Sequence, residues 1–320
     1  MVKDKTSFSR DDVKSNLDEL FSNVENFRNT DSFRQMLDFV SKFKSLSPYN
    51  AFLLYQQRPG VEFVLNASAW YKRFKRRIKP NARPLIILVP FGPVDYVYDI
   101  SDTYPVDDKN QPTLFAETDE EIISSLIEPY KTTGYVPNNE MLKLIESMLF
   151  HGIAMDNNLK VGNGYAGQIE LSGEFRPKLT LIYKNTRIGI TANYLLSIRD
   201  KAECGEAFAT AIHELGHLFC HHLTAVPSKA WEVRHLDHTS EEFEAEAVSF
   251  IVCTRYGINS PSVEYLNGYY AKNKTIPQIS VENIFTACNI ILNMIEGISL
   301  KQGILYKYDD DFKKMINGIR

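Results

Sequence analysis

Cysteine is scarce in this chain, with 4 in 320 residues (Cys204, Cys220, Cys253 and Cys288), and no two of them form a C-x-x-C pair. That argues against a cysteine-built zinc knuckle or a dithiol redox motif and suits reduced core thiols in a cytoplasmic protein. Long apolar runs are missing as well. The longest, Leu85-Ile86-Ile87-Leu88-Val89, has the length and β-branching of a buried strand and falls far short of the roughly 18 residues of a membrane span, so no membrane partner is expected. The opening Met1-Val2-Lys3-Asp4-Lys5 is polar and carries no apolar leader core, which again points to the cytoplasm. Neither sign of charge dominates: a net charge of −4 and a pI near 6.0 give no global attraction to nucleic acid, so any such binding must come from a local patch. Internal repeats and low-complexity tracts are likewise absent.

A hydrophobic content of 44% over 320 residues is that of a globular chain with one large or two ordinary domains, and two are expected. Up to about residue 46, apolar positions recur at helical spacing in two segments broken near Asn29-Thr30-Asp31. Ser47-Pro48 opens a further helix through Gln57, and from Val61 to Ile100 the pattern reads as strands punctuated by prolines. Asp, Pro, Thr and Asn enrich the stretch from Asp102 to Glu140, which sets a domain boundary near residue 135. Beyond it come a helix over Met141 to Phe150, short strands at Ile153-Ala154-Met155, Gln168 to Leu171 and Leu179 to Tyr183, and then several helices.

Chemistry is concentrated in Ala211-Ile212-His213-Glu214-Leu215-Gly216-His217-Leu218-Phe219. Residues i and i+4 share one face of a helix, so His213 and His217 can both turn a ring nitrogen toward one metal ion. Glu214 sits about 100° round the helix, where it is better placed to reach a water beside the metal than to ligate. A catalytic zinc needs three protein ligands, so a third donor must lie elsewhere. The helical segment from Thr239 to Val252 offers one: Glu242 reads as the third ligand, and Glu246, one turn on, as a carboxylate that orients a ligand histidine. Thr239 and Glu242 also fit a capping box, and Gly257 stops the helix. Glu241 or Glu244 takes the ligand role if the helix is rotated, and His235 or His238 could supply a histidine instead. His221 lies too far along the helix to join His213 and His217 on one ion; with His222 it reads as a helix-end residue near the negative end of the dipole.

The first half carries a basic stretch, Lys72, Arg73, Lys75, Arg76, Arg77, Lys79 and Arg83, beside Trp70, Tyr71 and Phe74. Cations for phosphates and aromatic faces for bases are the two ingredients of a single-strand surface. Trp70, Lys72, Arg73, Arg76, Arg77 and Lys79 are its candidate contacts.

Both halves bear a resemblance to known families. Residues from about 140 to 270 resemble the ImmA/IrrE-type metallopeptidases through Ala211-Ile212-His213-Glu214-Leu215-Gly216-His217 followed by Glu242-Phe243-Glu244-Ala245-Glu246-Ala247-Val248-Ser249-Phe250. That resemblance implies a zincin-like fold, zinc (Zn2+) as cofactor and Glu242 as third ligand, with Glu246 at a position where the family often has Asp or Asn. The first half is similar to the N-terminal domain of ArdC-type antirestriction proteins through Ser47-Pro48-Tyr49-Asn50, Trp70, Arg76-Arg77-Ile78-Lys79, Pro84-Leu85-Ile86-Ile87-Leu88 and Tyr98-Asp99. This second likeness implies single-stranded DNA binding and an association with mobile elements such as plasmids or phage.

The expectation is therefore an α+β chain with a DNA-binding-like domain over 1–135 and a zincin-like metallopeptidase domain over 136–320. Its function would be metal-dependent cleavage of a protein or peptide, as antirestriction or regulatory proteolysis, with single-stranded DNA as a further partner. Two rivals stand beside it: a DNA-protecting protein with a non-catalytic metal site, and a protease for protein crosslinked to DNA, which favours a histidine as third ligand.

Overall fold

The structure is a computed structural model; it describes residues 29–89, 94–113, 117–126, 138–159, 166–172, 178–183, 186–199, 202–226 and 230–297. The helix expected before Asn29 lies outside the described residues. The fold is α+β, and the chain divides into two compact units, Met1–Lys131 and Thr132–Arg320.

In the first unit Asn29 caps helix α1 (Thr30–Lys42), its side chain accepting the Asp31 N–H, and Phe33, Met36, Leu37 and Val40 form the buried face. Ser47 caps α2 (Pro48–Gln57) in the same way through the Asn50 N–H. After β1 (Val64–Leu65), where strands alone are expected, the chain forms helix α3 (Ala67–Phe74). Asn66 starts it by accepting the Ala69 N–H at 2.9 Å, and Lys75, at φ 51°, ends it. A helix wins here because it brings Trp70 and Phe74, four apart, to one face, with ring centroids 5.6 Å apart. The chain continues through β2 (Arg76–Ile78), β3 (Leu85–Ile87), β4 (Asp95–Asp99) and β5 (Thr103–Pro105) to helix α4 (Asp119–Leu126). β1, β4 and β3 form an antiparallel sheet in that order, and β2 pairs with β5. Side-chain amides of α2 complete the edge of β3: Gln57 bonds both backbone groups of Ile86, and Asn50 both groups of Leu88 just beyond the strand.

The second unit begins with α5 (Asn138–Phe150), β6 (Ile153–Leu159), β7 (Gly167–Leu171) and a hairpin of β8 (Lys178–Tyr183) and β9 (Thr186–Thr191). The next strand, β10 (Tyr194–Arg199), is the centre of the sheet β6-β10-β7, parallel to β6 and antiparallel to β7. Four helices follow: α6 (Cys204–Phe219), α7 (His238–Arg255), α8 (Ser262–Lys272) and α9 (Val281–Ile295). α9 packs on α5, α6 and α7, and Ile212, Leu215, Leu218, Val248, Ile251, Ile284 and Ile291 are sealed between these helices. Cys220, Cys253 and Cys288 are free thiols in this core, and Cys204 is exposed.

One buried group in this unit makes its stability depend on pH. His151, in the turn between α5 and β6, is fully buried, and neither ring nitrogen has a hydrogen-bond partner. Burial pushes its pKa down to about 4. Because the unfolded chain binds this proton more readily, the stability contributed by neutral His151 is complete above pH ~6.5 and is lost as the pH falls toward the folded value. The loss from this residue comes to about 3 kcal/mol between pH ~6.5 and pH ~4. Urea unfolding across that window will show a steep acid slope that His151→Leu flattens; parallel slopes would exclude the effect.

Candidate metal centre

Helix α6 holds the central motif for reasons local to its sequence. Phe208, Ala211, Ile212, Leu215, Leu218 and Phe219 bury one broad stripe, and the histidines fall on its border, each partly exposed. Gly216, which weakens a helix interior by about 1 kcal/mol, serves the contact with α7. A Cβ at that position would stand 3.1 Å from the Ala245 Cα and 3.3 Å from its carbonyl oxygen. Absence of a side chain at Gly216 therefore lets the two helix backbones meet beside the histidines.

α7 starts earlier than the Thr239/Glu242 capping box predicts. Its cap is Asp237, whose carboxylate accepts the Ser240 N–H at 3.0 Å and the Ser240 hydroxyl at 3.0 Å. Glu242 is thereby free of capping and turns to the histidine pair. Its carboxylate lies 3.4 Å from His217 Nε2 and 3.6 Å from His213 Nε2, and the two Nε2 atoms are 3.2 Å apart. Two nitrogens held tetrahedrally at about 2.05 Å from one zinc ion stand roughly 3.3 Å from each other. The donor set thus fits zinc in kind and in spacing. Glu246 faces the other ring nitrogen of His213, 3.6 Å from Nδ1.

The electrostatics follow from crowding three carboxylates and two imidazoles in a half-buried place. Burial works against charge on His213, but Glu246, Glu214 and Glu242 outweigh it and hold its pKa above the ordinary histidine value. Burial keeps His217 below that value, with Glu242 partly opposing. The hydrogen bond from His217 holds Glu242 below the usual carboxylate range, ready to act as an anionic ligand. Glu214 goes the other way: burial and the neighbouring Glu242 raise it, against the pull of His213 and of a hydrogen bond from the Ile169 N–H. A buried carboxylate with a raised pKa is a stronger proton acceptor.

A cavity of about 630 Å³ opens over these residues, bordered by Gly167, Gln168 and Ile169 of β7, by Thr210 and by Ser262. Gly167 makes the approach of β7 to α6 possible, since a Cβ there would lie 2.5 Å from the Thr210 methyl. His238 also borders the cavity, but it is largely exposed and its Nδ1 is 3.8 Å from Glu242. His235 is exposed and stands outside the cavity lining. Glu241 lines the cavity without joining the three close donors.

His222 and Glu244 depart from their expected places. Past the end of α6, Cys220 is followed by His221 at φ 67°; His221 N–H then bonds the Leu218 carbonyl at 3.1 Å and His222 N–H the His217 carbonyl at 3.0 Å. This is a Schellman turn with histidine where glycine is usual, and it folds His222 back over His217. Nδ1 of His222 lies 3.0 Å from Nδ1 of His217, and Nε2 of His222 lies 2.9 Å from Glu244 Oε2. The His222 side chain is thus buried against His217 rather than standing free at the helix end. Glu244 is fully buried and points away from His213; it accepts two bonds from Arg234, at 2.5 and 2.8 Å, and one from the Ser280 N–H at 2.6 Å. Burial pushes the Glu244 carboxyl up, but these donors outweigh it and hold it below the usual range.

Among the described residues a second group, Cys220, His222 and Glu244, is also close enough to share a cation. Arg234 already fills that role, and burial pushes the Cys220 thiol up, which keeps it protonated.

In the first unit the basic stretch is divided between surface and core. Trp70 is fully buried, its indole N–H bonded to the Tyr98 carbonyl at 2.8 Å and its ring edge-on to Phe63. Arg76 is buried too; it donates to Thr103 Oγ1 at 2.7 Å and pairs with Asp119 at 2.8 Å. These two are corrections to the expected contact set, because a stacking platform and a phosphate contact both need an exposed group. Lys72, Arg73, Arg77 and Lys79 are exposed, with the Arg77 guanidinium 4.3 Å over the Tyr71 ring and Lys79 Nζ on the Ser101 carbonyl at 2.7 Å.

Compared with family models, curated proteins and solved structures, the chain matches none of them. The likeness to ImmA/IrrE-type and ArdC-type proteins therefore rests on the quoted motifs, and the functional argument on the geometry of His213, His217, Glu242 and Glu214.

Proposed function

We propose that this protein is a zinc-dependent peptidase whose metal is held by His213, His217 and Glu242. The observation that carries the reading is the convergence of three donor atoms at 3.2–3.6 Å beside an accessible cavity. Structural zinc is normally closed by four protein ligands, whereas three ligands facing a cavity leave room for water and substrate. Zinc bound there supplies Lewis acidity to a peptide carbonyl and to water. Glu214, on the same helix and of raised pKa, takes the proton from the attacking water and returns it to the leaving amine. β7, at the end of the sheet order, borders the cavity and gives an extended peptide a strand to pair with. His213 keeps its orientation through Glu246.

The assignment of ligands is tested by elemental analysis of the full chain after dialysis against zinc. One equivalent of zinc is expected for the wild type and for His235→Ala, and well below half an equivalent for Glu242→Ala. Equal zinc in Glu242→Ala and the wild type would remove Glu242 from the site; loss in His235→Ala would favour the histidine ligand set.

A further inference from the structure

We propose that a peptide substrate lies antiparallel along the open edge of β7 in a single register, with the residue that contributes the scissile carbonyl opposite Ile169. This placement rests on the peptidase reading above and adds how the substrate backbone is held.

The register follows from which backbone groups of β7 are already bonded. In an antiparallel pair, alternate residues of a strand bond the neighbour and the others turn their N–H and C=O outward. Arg199 N–H donates to the Ala166 carbonyl at 3.0 Å, and Ser172 N–H to the Asn193 carbonyl at 2.9 Å. These bonds flank the pairing of β7 with β10, in which Gln168 lies opposite Ser197 and Glu170 opposite Leu195. Gln168 and Glu170 therefore bond β10, while the backbone groups of Gly167, Ile169 and Leu171 face the other way, where no strand pairs with β7 among the described residues. The hydrogen bond from the Ile169 N–H to Glu214 agrees, since Glu214 stands on α6 and not on β10.

That bond makes the three outward positions unequal. Gly167 and Leu171 each present a donor and an acceptor to an incoming strand, whereas Ile169 presents its carbonyl alone. A substrate residue opposite Ile169 can donate its N–H there, but its own carbonyl meets no N–H on β7. It is turned instead toward Glu214, the neighbour in sequence of His213 and thus beside the His213, His217 and Glu242 donors. Along the paired segment this is the carbonyl left unpaired next to the base, and so the one cleaved. Antiparallel order, the stronger of the two pairings, then sets the substrate residue two places after it opposite Gly167 and the residue two places before it opposite Leu171. Gly167, Gln168 and Ile169 border the cavity, whereas Leu171 stands outside its lining and is 40% exposed, so the C-terminal side of the cut is the enclosed one. The substrate read in this way is an extended segment recognised by its main chain, with free N–H groups at alternate residues.

Two measurements on the full chain test this. Amide hydrogen exchange of the metal-free protein reads the edge itself: the Ile169 amide is expected to be protected in the wild type and to lose that protection in Glu214→Ala, while Gln168 and Glu170 keep theirs. An Ile169 amide that exchanges as fast in the wild type as in Glu214→Ala would overturn the proposal. The second measurement is an N-methyl scan of the peptide cleaved fastest in a mixed library, with the cut located by mass spectrometry. A methyl on the backbone nitrogen of the residue whose carbonyl is cleaved, or of the residue two places before or two after it, is expected to lower kcat/KM by roughly tenfold, the scale of a lost hydrogen bond with its acceptor left unsatisfied. A methyl one place before the cleaved carbonyl's residue falls on a nitrogen that faces away from β7 and is expected to be tolerated. Equal losses in the two sets, or the reverse order, would overturn the register and leave the peptidase standing. If no peptide in the library is cleaved, the peptidase reading falls and the register falls with it.

Discussion

Glu214→Gln is expected to keep its full complement of zinc and to lose peptide hydrolysis by at least 10²- to 10⁴-fold, the usual contribution of a positioned proton-transfer group. The substitution is nearly isosteric. Glu214 is 8% exposed and accepts a hydrogen bond from the Ile169 N–H, which a glutamine carbonyl can also accept, so neither packing nor the contact with β7 is disturbed. What disappears is the capacity to take a proton. Burial and the adjacent Glu242 raise the Glu214 pKa, and the surrounding structure thereby sustains a carboxylate that binds protons avidly. A ligand would behave differently, with metal and activity lost together. The decisive comparison is zinc content against the rate of cleavage of a mixed peptide library; wild-type rates in Glu214→Gln would sink the role of base, and loss of zinc would make the residue a ligand.

Glu244→Ala is expected to destabilise the second unit by about 3–5 kcal/mol, the range for removing one partner of a buried ion pair. Its carboxylate joins three pieces of chain: Arg234 from the segment between α6 and α7, His222 from the turn after α6, and the Ser280 N–H at the start of α9. Arg234 also donates to the Cys220 carbonyl at 3.2 Å, so the clamp reaches the end of α6 as well. Truncation leaves a guanidinium, an imidazole N–H and a backbone N–H without their acceptor. Replacing both charges, as in Glu244→Leu with Arg234→Met, removes the unpaired guanidinium but leaves the His222 imidazole and the Ser280 N–H without their acceptor, so it is expected to recover only part of the loss. Urea midpoints of the two variants give the answer, and a midpoint unchanged in Glu244→Ala would show that the buried pair contributes little beyond its own desolvation.

The parts of the site that are legible in the sequence are those fixed by one helix. His213 and His217 share a face because of the 3.6-residue repeat, and Glu214 follows from it. Glu242 was readable as a donor by type and spacing, but its distance to the histidines depends on Gly216, whose contact with Ala245 belongs to tertiary packing. His222 was not readable. Its position depends on a left-handed residue at His221, and the usual sign of such a turn is glycine. In the first unit, composition could count the cations around Trp70 but could not say which side of β2 faces inward; Arg76 lies inside and Arg77 outside. Strand β10, the centre of its sheet, escaped because Tyr194-Leu195-Leu196-Ser197-Ile198 lacks the alternation of a strand with one wet face; its residues are buried or nearly so on both.

The turn that brings His222 over His217 also reverses the chain toward α7, so the donors come from a single helix–loop–helix segment. An ion shared by His217 and Glu242 ties together a loop of roughly two dozen residues, and a cross-link of that span restricts an unfolded chain by on the order of 3 kcal/mol. A metal held there as proposed would be a removable staple: its binding would raise the melting temperature of the α6–α7 hairpin, and its withdrawal would expose that segment first to proteolysis.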